Sequence, residues 1–266
     1  MDFTVKIYRD LLDNLINAGY AFQTFSEFLE KPEPRVIMLR HDVDDKKLNS
    51  LRFAKIQQSL GIKGAYYFRM VPQSYDEEVI KEIADLGHEI GYHYEDMDFA
   101  VKQLIAKGQK PKALKEEDLY DTAIEIFKEN LKTLRKLYPV KTICMHGSPR
   151  SGFDNKALWK KYNYRDYEII GEPYFDIDFK KVFYITDTGR RWDGDKVSIR
   201  DKVDSGFDLS FSHTQEIINN IDHLPDKIMF TFHPQRWNDA FFPWTKELVM
   251  QNIKNQVKRY YVKRSK

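Results

Sequence analysis

Residues 36–45 read Val-Ile-Met-Leu-Arg-His-Asp-Val-Asp-Asp, four apolar side chains followed by a cluster able to do chemistry. The apolar run is short, follows Pro34 and ends in acids, so it reads as a buried strand. The acids then sit where the chain leaves the sheet. In α/β folds, ligands and catalytic groups collect at that carboxyl end. Asp42 and Asp44 are two apart, share a face of extended backbone, and can act on one ion or substrate. An acid here also suits the cap of a helix starting near Leu48. A cap needs one such residue, whereas positions 41–45 hold three acids and a histidine.

The histidines extend the pattern. Of seven, four (His41, His93, His146 and His233) close an expected strand at its C-terminal end. His88 begins a strand at the opposite end and reads as structural, as do His213 and His223 around a helix. Histidine and carboxylate ligands without a thiolate suit a catalytic zinc or another borderline divalent ion with a position open for water. Such an ion lowers the pKa of bound water and polarises a carbonyl. A carboxylate off the metal can take the water's proton, and a histidine on the far side can protonate the leaving group. The chemistry implied is metal-assisted hydrolysis of an ester or amide. Cys144 is the only cysteine, which excludes a disulfide within the chain and a Cys-based zinc site, and its apolar setting makes it a small core residue.

Positioning these groups falls to alternating strands and helices. Apolar residues at helical spacing predict helices over 5–18, 48–60, 76–86, 118–137 and 214–224, with Gly19, Gly61, Gly87 and Pro139 as stops. Strands are expected at 36–43, 65–68, 88–93, 142–145, 168–170, 182–185 and 227–232. Residues 94–98 read as an acidic stretch and 106–117 as a surface loop. Alternation of this kind implies parallel strands with helical crossovers, in an open sheet or a barrel. The 266 residues, 42% hydrophobic, suffice for a single α/β domain, with 1–35 a helical lead-in and 243–266 a terminal helix. A formal charge of +2 points to neither nucleic acid nor membrane, and no segment approaches a spanning length. The basic tail from Lys254 reads as a solvated helix end. No glycine-rich phosphate loop follows any strand.

At this point the chain resembles a polysaccharide deacetylase of carbohydrate esterase family 4. Gly87-His88-Glu89-Ile90-Gly91-Tyr92-His93 is close to that family's Gly-His-Glu-Ile-Gly-x-His signature, and Arg40-His41-Asp42-Val43-Asp44 to its acidic motif. His146-Gly147-Ser148-Pro149 falls at its Arg-Pro-Pro-type loop, residues 187–193 near its Trp- and Asp-containing motif, and Phe232-His233-Pro234 at its final His motif. The resemblance implies a distorted (β/α) barrel of about seven parallel strands. It implies Asp42 as general base, Asp44 and His93 as metal ligands, His233 as general acid, and removal of an N- or O-acetyl group from a sugar. The family's second metal histidine lies four residues after the first, and here that position is Met97. A thioether suits Cu(I) better than zinc, so His146 is the expected third ligand, the alternative being that it orients Asp42. Substrate contacts are expected from His41, Ser148, Asp187, Arg191, Trp192 and Trp237.

The N-terminus shows no signal-peptide pattern, so a cytoplasmic setting is expected, with a nucleotide- or lipid-linked sugar as substrate. Two other readings compete. Asp42-Val43-Asp44 fits the Asp-x-Asp of metal- and nucleotide-sugar-dependent glycosyltransferases, and Met97 fits a non-catalytic glycan-binding relative.

Overall fold

The computed structural model describes residues 1–147, 152–193 and 203–264. In chain order the elements are α1 (Val5–Asn17), β1 (Ala21–Gln23), α2 (Phe25–Glu30), β2 (Val36–Val43), α3 (Lys47–Ser59), β3 (Ala65–Phe68), α4 (Glu77–Asp85), β4 (Glu89–Tyr94) and α5 (Asp96–Ala106). They continue with α6 (Glu116–Arg135), β5 (Ile143–Met145), α7 (Pro173–Asp176), β6 (Phe183–Thr186), α8 (Thr214–Asn219), β7 (Lys227–Phe232) and α9 (Phe241–Arg264).

The seven strands form one parallel sheet in the order β5-β4-β3-β2-β7-β6, with β1 beside the start of β2. The sheet curls into a half-barrel and does not close, because β5 and β6 are edges that do not pair with each other. β2 is the axis: Val36–His41 pair with β7 on one side, and Arg40–Val43 pair with β3 on the other. All eight of its residues are buried. Alternation along the strand then decides every role. Ile37, Leu39 and Val43 face the helices, packing in a core with Leu11, Leu12 and Phe53. Met38 faces the inside of the half-barrel with Tyr67, Cys144 and Met229. Arg40 and Asp42 continue that inner row toward the rim.

Gly91 in β4 is required by a neighbour: a Cβ there would collide with the Tyr67 ring. Tyr67 uses the space to cross β4 and reach Thr142 Oγ1 at 3.1 Å, which anchors the chain entering edge strand β5.

The expected strand at 168–170 is not one. Tyr164–Tyr167 form a 3-10 turn, and only Gly171 bridges to Thr142. The acidic stretch after β4 continues as a helix, α5, whose apolar face had been masked by Asp96 and Asp98. The segment 1–35 supplies a strand, β1, as well as helices.

Candidate metal centre

The C-terminal ends of β2, β4, β5 and β7 bring Asp42, Asp44, His93, His146 and His233 together. His93 is the penultimate residue of β4, and its Nδ1 lies 2.9 Å from the Cys144 carbonyl. A carbonyl only accepts, so Nδ1 carries the hydrogen and Nε2 presents a lone pair. That Nε2 lies 3.5 Å from Asp44 Oδ1. His146, just past β5, places Nε2 3.6 Å from the same oxygen and Nδ1 3.3 Å from Glu95 Oε2. Asp44 Oδ2 accepts from the Gln235 amide at 3.2 Å, while Oδ1 is buried without a hydrogen-bond partner. Ligand atoms of Asp44, His93 and His146 all fall within 4.8 Å of one another. Two imidazole nitrogens beside an orphaned carboxylate oxygen, three electron-pair donors in all, fit a divalent cation, and two imidazoles with one carboxylate fit zinc.

The electrostatics agree. Burial pushes the Asp44 carboxyl up, but His93, His146 and His233 outweigh it and hold Asp44 well below the carboxylate range. Burial lowers His93, but Asp42 and Asp44 outweigh it and raise its imidazole, so protons and a cation compete for one nitrogen.

Met97 does not enter this site. It is fully buried in the helix-side core, on the first turn of α5. Glu95, which helical spacing would turn away from His93, precedes the helix with φ −140° and ψ 37° and points inward instead. Arg69 grips both its oxygens at 2.8 Å. Sequence reasoning missed the Arg69–Glu95 pair, and only its acidic neighbourhood hinted at it.

Asp42 is oriented by its own strand. Arg40 Nε and Nη2 meet its two oxygens at 2.8 and 2.7 Å, so the orienting role considered for His146 is already filled. Burial raises the Asp42 carboxyl, but Arg40 and His93 bring it down to about 2. With both oxygens held by Arg40, Asp42 does not combine with Asp44 into the open Asp-x-Asp clamp of a glycosyltransferase. From β7, His233 Nε2 lies 4.0 Å from Asp42 Oδ2 and 3.9 Å from Asp44 Oδ2. Its Nδ1 meets Asp187 Oδ1 at 2.6 Å.

Several expected substrate contacts take other roles. Asp187 is fully buried and accepts from the His233 backbone and ring, Arg236 and Trp237, so it orients His233 and touches no substrate. Trp237 donates to it at 2.6 Å and is fully buried, so it offers no face to a sugar. Trp192 is likewise core, bonded to Thr214 and packed on Phe230 and Phe232. His41, one residue out of phase with Asp42, faces the helices, where it meets Gln57 at 2.8 Å and Tyr8 at 3.2 Å. Burial pulls its pKa down to about 3, so it is a neutral structural group. Arg191 is spent on Asp193, at 2.6 and 2.7 Å. Ser148 lies outside the described residues.

Fold and site together define an α/β half-barrel with a candidate His/Asp cation site on its C-terminal rim. Similar architecture occurs in BA3943, a CE4 family pseudoenzyme from Bacillus anthracis, with TM-score 0.41 and 12% identity over 86% of this chain and 63% of that one. A BA3943 mutant described as having restored enzymatic activity gives 0.40 and 12% over 86% and 65%. The Xyl-CE4 domain of a multidomain xylanase from the hindgut metagenome of Trinervitermes trinervoides gives 0.38 and 12% over 84% and 85%. The chain thus spans just under two thirds of the length of the BA3943 structures. No family model and no curated protein matches the sequence.

Proposed function

We propose that this chain is a metal-dependent hydrolase that removes an N- or O-linked acetyl group from a sugar on a nucleotide or lipid carrier, in the cytoplasm. The observation that carries the reading is the convergence of Asp44, His93 and His146 beside Asp42, with the Asp187-held His233 reaching the same two carboxylates. Asp44, His93 and His146 would hold the ion, with zinc the best fit to the donor set. A divalent ion there supplies Lewis acidity to a carbonyl oxygen and to an attacking water. Asp42, fixed by Arg40 and ionised at any working pH, orients that water and accepts its proton. His233 faces the same space and hands a proton to the departing sugar amine or hydroxyl, steadied by Asp187. Arg69 and Glu95 keep His146 turned toward Asp44. Acetyl as the group and sugar as the carrier rest on the sequence motifs around Asp42, His93 and His233.

The test is to strip the full chain with chelator, reload it with zinc, manganese or cobalt, and measure acetate released from a panel of acetylated sugars. Metal-restored release is expected. Tight sugar binding by fully loaded protein without acetate release would favour a glycan-binding role, and failure to take up any divalent ion would end the reading.

A further inference from the structure

Arg190 is a buried cation without an anion. It stands in the turn after β6, three residues past Asp187, and its N–H closes that turn on the Asp187 carbonyl at 2.9 Å. The residue is only 6% exposed. Its guanidinium lies over the rings of Phe3 at 5.4 Å and Trp244 at 4.8 Å, and Nη1 donates to the Trp244 carbonyl at 2.9 Å. Nε and Nη2 are buried and have no hydrogen-bond partner. That pair is an edge with which an arginine grips an oxyanion through two parallel bonds. Three other arginines use it so: Arg40 on Asp42, Arg69 on Glu95 and Arg191 on Asp193. Among the described residues, no carboxylate does this for Arg190. The acids near enough to act on its charge are Glu247, Asp2 and Asp187, with Arg236 as a second cation. Glu247 pairs with Lys46 at 3.3 Å, Asp2 accepts from the Thr214 backbone at 3.0 Å, and Asp187 is taken by His233, Arg236 and Trp237.

A guanidinium keeps its proton in a protein, so the charge stays, and a buried charge calls for a partner. The backbone is also held against its preference, with φ 55° at a long side chain, a left-handed conformation of the kind that collects at ligand clamps. Trp244 is itself only half-buried, so the fork lies one side chain below the surface. We infer that Arg190 is an anion site whose Nε–Nη2 fork takes a phosphate group. The fork fits carboxylate and phosphate alike. Phosphate is the oxyanion that the substrate of the neighbouring site would bring, because a sugar on a nucleotide or lipid carrier is joined to it through phosphate. The same turn carries Asp187, which orients His233, so a phosphate held there stands beside the proposed acid. The choice of phosphate rests on the deacetylase reading, and the anion site does not.

Calorimetric titration of the full chain with inorganic phosphate tests the site. Saturable binding is expected. Arg190→Met should weaken it by about 30-fold or more, and Arg190→Lys, which keeps the charge and loses the fork, by about tenfold. Circular dichroism and zinc content should be unchanged in both variants. A nucleoside-diphosphate-linked N-acetylsugar should bind at least about tenfold more tightly than inorganic phosphate, because it engages two sites at once, and should be weakened by the same substitutions. Absence of phosphate binding, binding indifferent to both substitutions, or tighter binding of acetate than of phosphate would overturn the proposal. Equal affinity for free phosphate and the linked sugar would overturn the carrier as the source of the anion. Phosphate binding without acetate release would leave the anion site standing and remove the deacetylase reading.

Discussion

Replacing Arg40 by Met tests whether the inner row of β2 is built around one buried ion pair. Arg40 and Asp42 are nearly inaccessible, and the guanidinium binds both carboxylate oxygens within 2.8 Å. Removing one partner of such a pair leaves the other charge buried without compensation, which costs about 3–5 kcal/mol. Unfolding entropy near 2.1 cal/mol/K per residue gives this 266-residue chain a melting entropy of about 0.56 kcal/mol/K. The melting temperature should therefore fall by about 5–9 °C. Asp42→Asn alone should also destabilise, because it strands Arg40, while leaving metal content nearly intact and abolishing acetate release. Arg40→Met/Asp42→Asn removes both charges and should recover much of the loss, a coupling readable in a double-mutant cycle by calorimetry. Arg40→Met should also shift the acid-side fall in turnover to higher pH, because Arg40 is the main favourable influence holding Asp42 low. If Arg40→Met lies within about 1 kcal/mol of the parent, or if the two losses simply add, the pair does not organise the strand as argued.

His146→Ala should weaken zinc affinity by more than about 100-fold, since loss of an outer-shell partner alone costs 10- to 100-fold; unchanged affinity in a competition titration would remove His146 from the ligand set. Asp187→Asn should lower turnover on an acetamide by ~100-fold or more while sparing an activated aryl ester, whose leaving group needs no proton; equal losses on both would count against His233 as the acid. Asp96 lies buried with Oδ2 unpartnered, and burial raises its carboxyl to about 7. Its folded pKa exceeds its unfolded value, so the native state binds the extra proton and stability is lost as pH rises from about 4 through 7. Asp96→Asn should abolish that loss, gaining up to about 4 kcal/mol relative to the parent by pH 8 in denaturant titrations; parallel curves for the two proteins across that range would refute it.

The strand-borne parts of the site were readable because strand alternation and a rim of acids and histidines leave a local signature. Alternation puts Asp42 on the inner face and His41 on the wrong one, whereas Asp44 reaches the same space from a turn just past β2, its N–H on the Asp42 carbonyl. What was not readable depends on contacts between distant segments. Asp187 becomes the orienter of His233 only because Arg236 and Trp237, some fifty residues on, point their donors at it. Trp192 and Trp237 looked like sugar platforms, but an aromatic beside a rim is just as suited to the core beneath it. The helix α5 was hidden because Glu95 makes no side-chain cap and its first turn is acidic. The false strand at 168–170 came from Ile169 and Ile170, an apolar pair that feeds a single bridge.

The three proposed ligands sit just past β2, on β4 and just past β5, about fifty residues apart in sequence each time. No short stretch of an unfolded chain holds more than one of them, so a cation they bind discriminates strongly in favour of the native state. Saturation at 100 times the dissociation constant would add about 2.7 kcal/mol to folding. That stabilisation acts across a short join at the edge of the sheet, since β5 has only three residues and, among the described residues, pairs with no strand but β4. The ion would then be a staple as well as a catalyst, with the edge strand fraying first whenever the metal is withdrawn.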